Sequence, residues 1–285
     1  MEAVHQGIVL AVIAALIWSF TPSIIRKFSE NADPISLNAL RAFFATLILT
    51  PVITITGIRV ELEVQGILFI LLSALIGPGV GDIFYIISIR RIGGGRAVAI
   101  SYFYVFVAQF LAMVLLRETL RPWLVLGTIL ALTGIILVRF EGGHDTRHID
   151  WFIAFAPAFA WGLGTIVNKF ALYYTDPLSL SFLRVAILTI FLYMISFNKM
   201  GKNIGRKNVL ITAFITGGLG YGVGIPLFLY AIDSIGVSAT VLATTLTPVL
   251  GRILSSIIAG EKVNLKGVIG TFLVVLGIFI GIWFR

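Results

Sequence analysis

The sequence has no cysteine, which excludes disulfides and thiolate metal sites and leaves the compartment open. Charge is scarce. Only 12% of the 285 residues are Asp, Glu, Lys or Arg, against about 25% in an ordinary soluble domain. Histidine is confined to His5, His144 and His148, all outside the apolar runs, so no Ser-His pair can form within them. No acid-rich motif suited to metal-phosphate chemistry occurs either. An enzyme is therefore not expected, and neither a cofactor nor a metal. No loop is long enough for a soluble domain; the longest, Glu141–Asp150 and Lys199–Asn208, are polar connections.

What is present is oil. Hydrophobic residues make up 59% of the chain, and its mean hydropathy is +1.05. Such a chain cannot cover a soluble surface, and a multi-pass protein of the cell membrane is expected. The net charge of +8 would suggest nucleic acid in a soluble protein. Here the basic residues lie in short loops, where lipid headgroups and topology are the expected reasons, and nucleic acid is not an expected partner. The first apolar run is too long for a signal-peptide core and is read as a retained helix.

Ten runs of membrane-spanning length follow one another: 7–26, 35–56, 66–88, 96–116, 122–140, 151–172, 179–198, 209–231, 238–259 and 266–284. A shift of 143 residues lays the second half on the first without a gap. It maps Trp18 onto Trp161, Asp33-Pro34 onto Asp176-Pro177, Arg41 onto Arg184 and Ile92-Gly93 onto Ile235-Gly236. It also maps Gly77, Gly79 and Gly81 onto Gly220, Gly222 and Gly224, Glu118 onto Glu261, and Gly134 onto Gly277. Chance matches of Trp, Arg, Glu and Asp-Pro in one register are rare. The expected organisation is two units, residues 7–140 and 150–284, of five helices each. Five is odd, so the second unit enters the membrane from the opposite face. The fold class expected is an all-α membrane protein of ten transmembrane helices in two inverted repeats. Inverted repeats are a device of secondary transporters, with the substrate site between the halves near mid-membrane.

The pattern resembles the drug/metabolite transporter superfamily, specifically its ten-helix EamA-type members. The paired Trp helices, Asp-Pro followed by an arginine, and the stretches from Ile92-Gly93 to Glu118 and from Ile235-Gly236 to Glu261 carry the resemblance. It covers essentially the whole chain and implies fold and transport, with little said of substrate. One departure stands out: Val105 in the first half faces Pro248 in the second, so a kink is expected in only one of the paired helices. Gly93 and Gly236 are candidate hinges.

Two deep positions break the pairing. Asp82 faces Ile225, and Gln109 faces Arg252. Asp82 lies about 16 residues into the third run and Arg252 about 14 into the ninth, which runs the same way, so at ~1.5 Å per residue both reach a similar depth. Arg41 reaches it from the other end. One polar cluster of Asp82, Arg41 and Arg252 is expected. It is either a structural tie between helices or a site in which Arg252, with Gln109, binds a substrate anion while Asp82 couples a proton. Arg41 and Arg184, near helix starts, are read as structural. Trp18, Tyr85, Tyr102, Tyr104, Trp161, Tyr221 and Tyr230 are candidate cavity aromatics, with Thr244 a further polar candidate; helical spacing allows only some of them to line one pore. IGPGVGD at 76–82 is no nucleotide fingerprint, since no strand precedes it.

The expected function is a proton-coupled exporter of a small metabolite such as an amino acid, working as a monomer or homodimer. A carrier of an amphiphilic or lipid-linked substrate, a channel and, more remotely, a membrane-embedded enzyme are the alternatives. Orientation stays open. Thirteen loop Lys and Arg lie opposite the termini and five beside them, which places the termini outside, whereas the resemblance implies cytoplasmic termini.

Overall fold

The structure, a computed structural model, describes residues 2–29, 31–57, 63–119, 121–139, 148–260 and 265–283. Every regular element among them is a helix, with no strand. The first half comprises α1 (Glu2–Ser19), α2 (Thr21–Phe28), α3 (Pro34–Thr56), α4 (Val64–Ala74), a π-helical stretch (Leu75–Gly81), α5 (Asp82–Ile92), α6 (Gly94–Ser101), α7 (Tyr104–Leu115) and α8 (Pro122–Arg139). The second comprises α9 (His148–Ala171), α10 (Pro177–Ile204), α11 (Lys207–Ala213), a second π-helical stretch (Phe214–Gly224), α12 (Ile225–Ile235), α13 (Val237–Ala243), α14 (Leu246–Ala259) and α15 (Leu265–Trp283). Seven continuous helical rods among the described residues are long and apolar enough to cross a membrane, Ala3–Phe28 and Val237–Ile258 among them. Large apolar side chains such as Leu47, Phe152, Met194 and Ile257 face outward, as suits lipid contact.

The Asp-Pro pairs start helices. The Asp33 carboxylate accepts from the Ser36 backbone N–H at 3.0 Å, and Asp176 accepts from Leu178 and Ser179 N–H at 2.9 and 3.0 Å. Pro34 and Pro177 then occupy the first helical position, where no N–H is needed. Partial burial pushes the Asp33 carboxyl up, but the Ser36 hydrogen bonds and Lys199, 3.2 Å away, hold it below its ordinary value. Gly93 and Gly236 join α5 to α6 and α12 to α13 at φ 87° and 78°, which other residues adopt with strain.

The kink expected only at Pro248 is present in both halves. The helix breaks at Tyr102-Phe103, between α6 and α7, and at Thr244-Thr245, between α13 and α14. Under the shift of 143 residues the two breaks fall within one residue of each other. Pro248 lies in the first turn of α14, where a missing N–H costs little, while the break in the first half forms with Val105 in its place.

The halves pack reciprocally. Trp18 meets Phe228 edge-on at 5.2 Å, and their repeat mates Trp161 and Tyr85 do the same at 4.9 Å. Thr46 and Thr189, themselves 143 apart, hydrogen-bond to each other at 3.2 Å. The α8 and α15 backbones touch where Gly127 meets Gly277 and Gly134 meets Gly270. An operation that swaps mates in every such contact is its own inverse, a two-fold. Contacts of i with i + 143 mark its axis, between α3 and α10.

Candidate functional site

Both π-helical stretches end at the seam, at Gly81 and its mate Gly224. A side chain there would strike tryptophan from the other half: a Cβ on Gly81 would come within 2.6 Å of Trp161, and one on Gly224 within 2.5 Å of Trp18. The two glycine-rich segments are thus seats for the indoles. Single π-type insertions gather at functional sites, and here they flank a cavity of about 120 Å³.

The cavity draws its walls from both halves. Trp18, Tyr85, Tyr102, Tyr104, Trp161, Tyr221 and Phe228 give aromatic surface; Arg41, Asp82, Arg184 and Asn168 give polarity. Tyr102 and Tyr104 both reach it because the helix breaks between them, which simple helical spacing does not allow. Tyr230 does not line it and is partly exposed on α12.

Asp82 is the hub. One carboxylate oxygen accepts from Arg41 Nη1 at 2.9 Å and lies 2.6 Å from the Tyr221 hydroxyl; the other accepts from Trp161 Nε1 at 2.8 Å. Arg41 also donates to Asn38 Oδ1 at 3.2 Å and stacks on the Tyr221 ring at 4.3 Å. Asn38 donates to the Pro78 carbonyl at 2.6 Å, and its Oδ1 lies 2.7 Å from the Tyr221 hydroxyl. Asp82, Arg41 and Asn38 come from the first half and Trp161 and Tyr221 from the second, so one carboxylate fastens the two units. The repeat-related spot has no such charge. There Ile225 stands for Asp82, and Trp18 Nε1 donates to the Gly220 carbonyl at 2.8 Å instead.

Of the expected cluster, the structure joins Asp82 to Arg41 and does not bring Arg252 to them. Arg252 is buried on α14, which packs against α1, α2 and α6, and is not part of the cavity wall. Equal depth along two helices does not fix which way a side chain faces. Gln109 is also away from the wall: it donates to the Ser238 carbonyl at 3.1 Å and accepts from Thr128 at 2.8 Å, tying α7 to α13 and α8. Thr244 bonds to Tyr104 from behind the wall, and its neighbour Thr247 faces the cavity. Arg184, read from its place near a helix start as structural, is a wall residue. Asn38 and Asn168 were not singled out by the sequence. As uncharged residues facing Ser181 and Ile25 across the repeat, they gave only the weak signal of a broken polar pair.

Glu118 does more than end a helix. Its carboxylate accepts from the Val237 and Ser238 N–H groups at 2.8 and 2.9 Å and so caps α13 of the other half. Its repeat mate Glu261 lies outside the described residues.

Comparison with known proteins agrees with this architecture. A family model described as the EamA-like transporter family matches twice, over residues 5–140 and 150–283. An uncharacterized transporter of Archaeoglobus fulgidus is 24% identical over 273 residues, 96% of either chain. A protein of known crystal structure shares the fold, with a TM-score of 0.82 at 15% identity over 98% of this chain and 99% of its own. The chain belongs to the EamA-like transporter family, of the drug/metabolite transporter superfamily, and is a multi-pass integral membrane transporter.

Proposed function

We propose that the protein is a secondary carrier that works by alternating access between two inverted five-helix units, residues 7–140 and 150–284, and exports a small amphipathic metabolite such as an amino acid. One observation carries this reading: the cavity lies on the two-fold seam, and a single buried carboxylate, Asp82, fastens one half to the other. On this reading all ten helical rods span the bilayer, and access passes from one face to the other as the seam rocks. The aromatic wall suits an apolar body and the few polar groups orient it.

Asp82 is the proposed proton site. A tyrosine hydroxyl has one hydrogen, and Tyr221 stands within bonding distance of two oxygens, Asp82 Oδ2 and Asn38 Oδ1. With Asp82 ionised, Tyr221 donates to it. With Asp82 protonated, the acid donates to Tyr221, and Tyr221 turns its hydrogen to Asn38. Both protonation states are therefore hydrogen-bonded, but only the charged one holds Arg41 and the second half strongly.

Counterflow in proteoliposomes tests the carrier reading. Vesicles loaded with an unlabelled amino-acid mixture should accumulate the labelled counterpart transiently, and an imposed proton gradient should drive net movement. Flux that never saturates and shows no exchange would mean a channel instead.

A further inference from the structure

We propose that Arg184, together with Asn168 of the same cavity, is the anion-binding subsite for the transported solute, and that this solute carries one carboxylate and a hydrogen-bond donor. The inference deepens the carrier reading and rests on it.

The charges of the cavity wall do not balance. Two guanidiniums, Arg41 and Arg184, face one carboxylate, Asp82. Asp82 is already engaged by Arg41, Trp161 and Tyr221. Arg184 makes no ion pair among the described residues. It donates one hydrogen bond, from Nη2 to the Ser73 carbonyl at 3.2 Å, and its Nε has no protein partner among them. Only 4% of the residue is exposed. The two-fold explains how this comes about. Arg41 is the mate of Arg184 and has its counter-ion. The residue equivalent to that counter-ion, Ile225, lines the same cavity and has no charge to give.

A buried cation without a partner is unfavourable, and one neutral carbonyl does not offset it. A guanidinium always carries its proton and offers a planar fork that matches a carboxylate. A purely structural tie to Ser73 would not need a full charge. The size of the imbalance selects the ligand: with Asp82 ionised, one surplus positive charge is met by a single carboxylate, whereas a phosphate dianion would leave the cavity negative.

Asn168 adds a second, independent demand. It is 3% exposed, lines the cavity, and its Oδ1 has no protein partner among the described residues. A buried amide oxygen calls for a donor. Asn168 sits on α9 with Thr165, Gly164 and Trp161, which line the same wall. A solute with an anion for Arg184, a donor for Asn168 and an apolar body for the rings satisfies all three.

The test uses the whole purified chain in detergent and three matched probes: phenylacetate, mandelate and 2-phenylethanol. Thermal stabilisation is read as a function of probe concentration. Phenylacetate should stabilise the wild type and 2-phenylethanol should not; mandelate, which adds a hydroxyl donor, should act at several-fold lower concentration than phenylacetate. Arg184→Gln should weaken both acids at least tenfold, and Arg184→Lys should restore part of the loss. Asn168→Leu should erase the preference for mandelate while keeping the response to phenylacetate. Equal stabilisation by the alcohol, no response of the wild type to either acid, or full response in Arg184→Gln overturns the subsite. The alcohol comparison needs no variant, so poor folding of a mutant does not rescue the proposal. Counterflow separates the two readings: acid binding lost with Arg184 but no exchange sinks the carrier alone, and exchange indifferent to Arg184→Gln sinks the subsite alone.

Discussion

At Asp82 a single carboxylate receives donors from α3, α9 and the second π-helical stretch. Removing its charge should have two separable effects. Asp82→Leu leaves the buried Arg41 without its counter-ion, and the loss of stability is expected on the order of 3 kcal/mol. Asp82→Asn keeps an oxygen for Trp161 and cannot titrate. Its transport should depend on pH less than that of the wild type; an unchanged pH dependence would remove Asp82 from coupling. Trp161→Phe keeps an aromatic ring, though a smaller one, and deletes the donor to Asp82, so it should weaken coupling less than Asp82→Asn does. This pair was legible because ionisable residues deep in an apolar run must find partners. Arg252 met the same criterion and sits elsewhere, since a count of residues gives depth and not facing. Arg184 was misread for the opposite reason: its position near a helix start fits an interfacial arginine, and only the packing of α10 beside α4 carries it inward.

Among the elements, the joints were less readable than the rods. Ten apolar runs in a composition this poor in charge leave little choice but helices. The Asp-Pro starts and the αL glycines at 93 and 236 follow from local chemistry. The break at Thr244-Thr245 is marked by Pro248, which has no N–H to give the Thr244 carbonyl, but the break at Tyr102-Phe103 is not, because no proline or glycine stands at the matching place. The same holds for the Glu118 cap. Nothing near Glu118 in sequence says that it reaches α13 across the molecule. Glu118→Ala should leave the Val237 and Ser238 N–H groups without their acceptor and lower stability by about 1–2 kcal/mol, with Glu118→Gln costing less. Denaturant titration of the purified protein in detergent checks this. Equal stability of all three proteins would mean that water serves those groups as well as the carboxylate does.

For the whole molecule, the gapless register of 143 residues made the two-part construction visible in advance. It could not say which contacts are shared and which are unique, because a repeat fixes the scaffold and function lives in its violations. The shared part makes a prediction that requires no knowledge of orientation. Trp161 seated on Gly81 and Trp18 seated on Gly224 are mates under the two-fold, and neither glycine tolerates a side chain without moving its indole. In an inverted repeat the two-fold exchanges the membrane faces. Whatever Gly81→Leu does to access from one face, Gly224→Leu must do to access from the other, up to the difference that Asp82 makes. The absence of native cysteine permits a clean readout. A cysteine introduced at the cavity residue Thr21, in vesicles of defined sidedness, can be titrated with an impermeant thiol reagent from each face. The two leucine variants should shift its reactivity toward opposite faces, with the Gly81 variant shifted further because it also strains the Trp161–Asp82 bond. Shifts toward the same face would mean that the halves do not exchange roles, and alternating access across this seam would have to be given up.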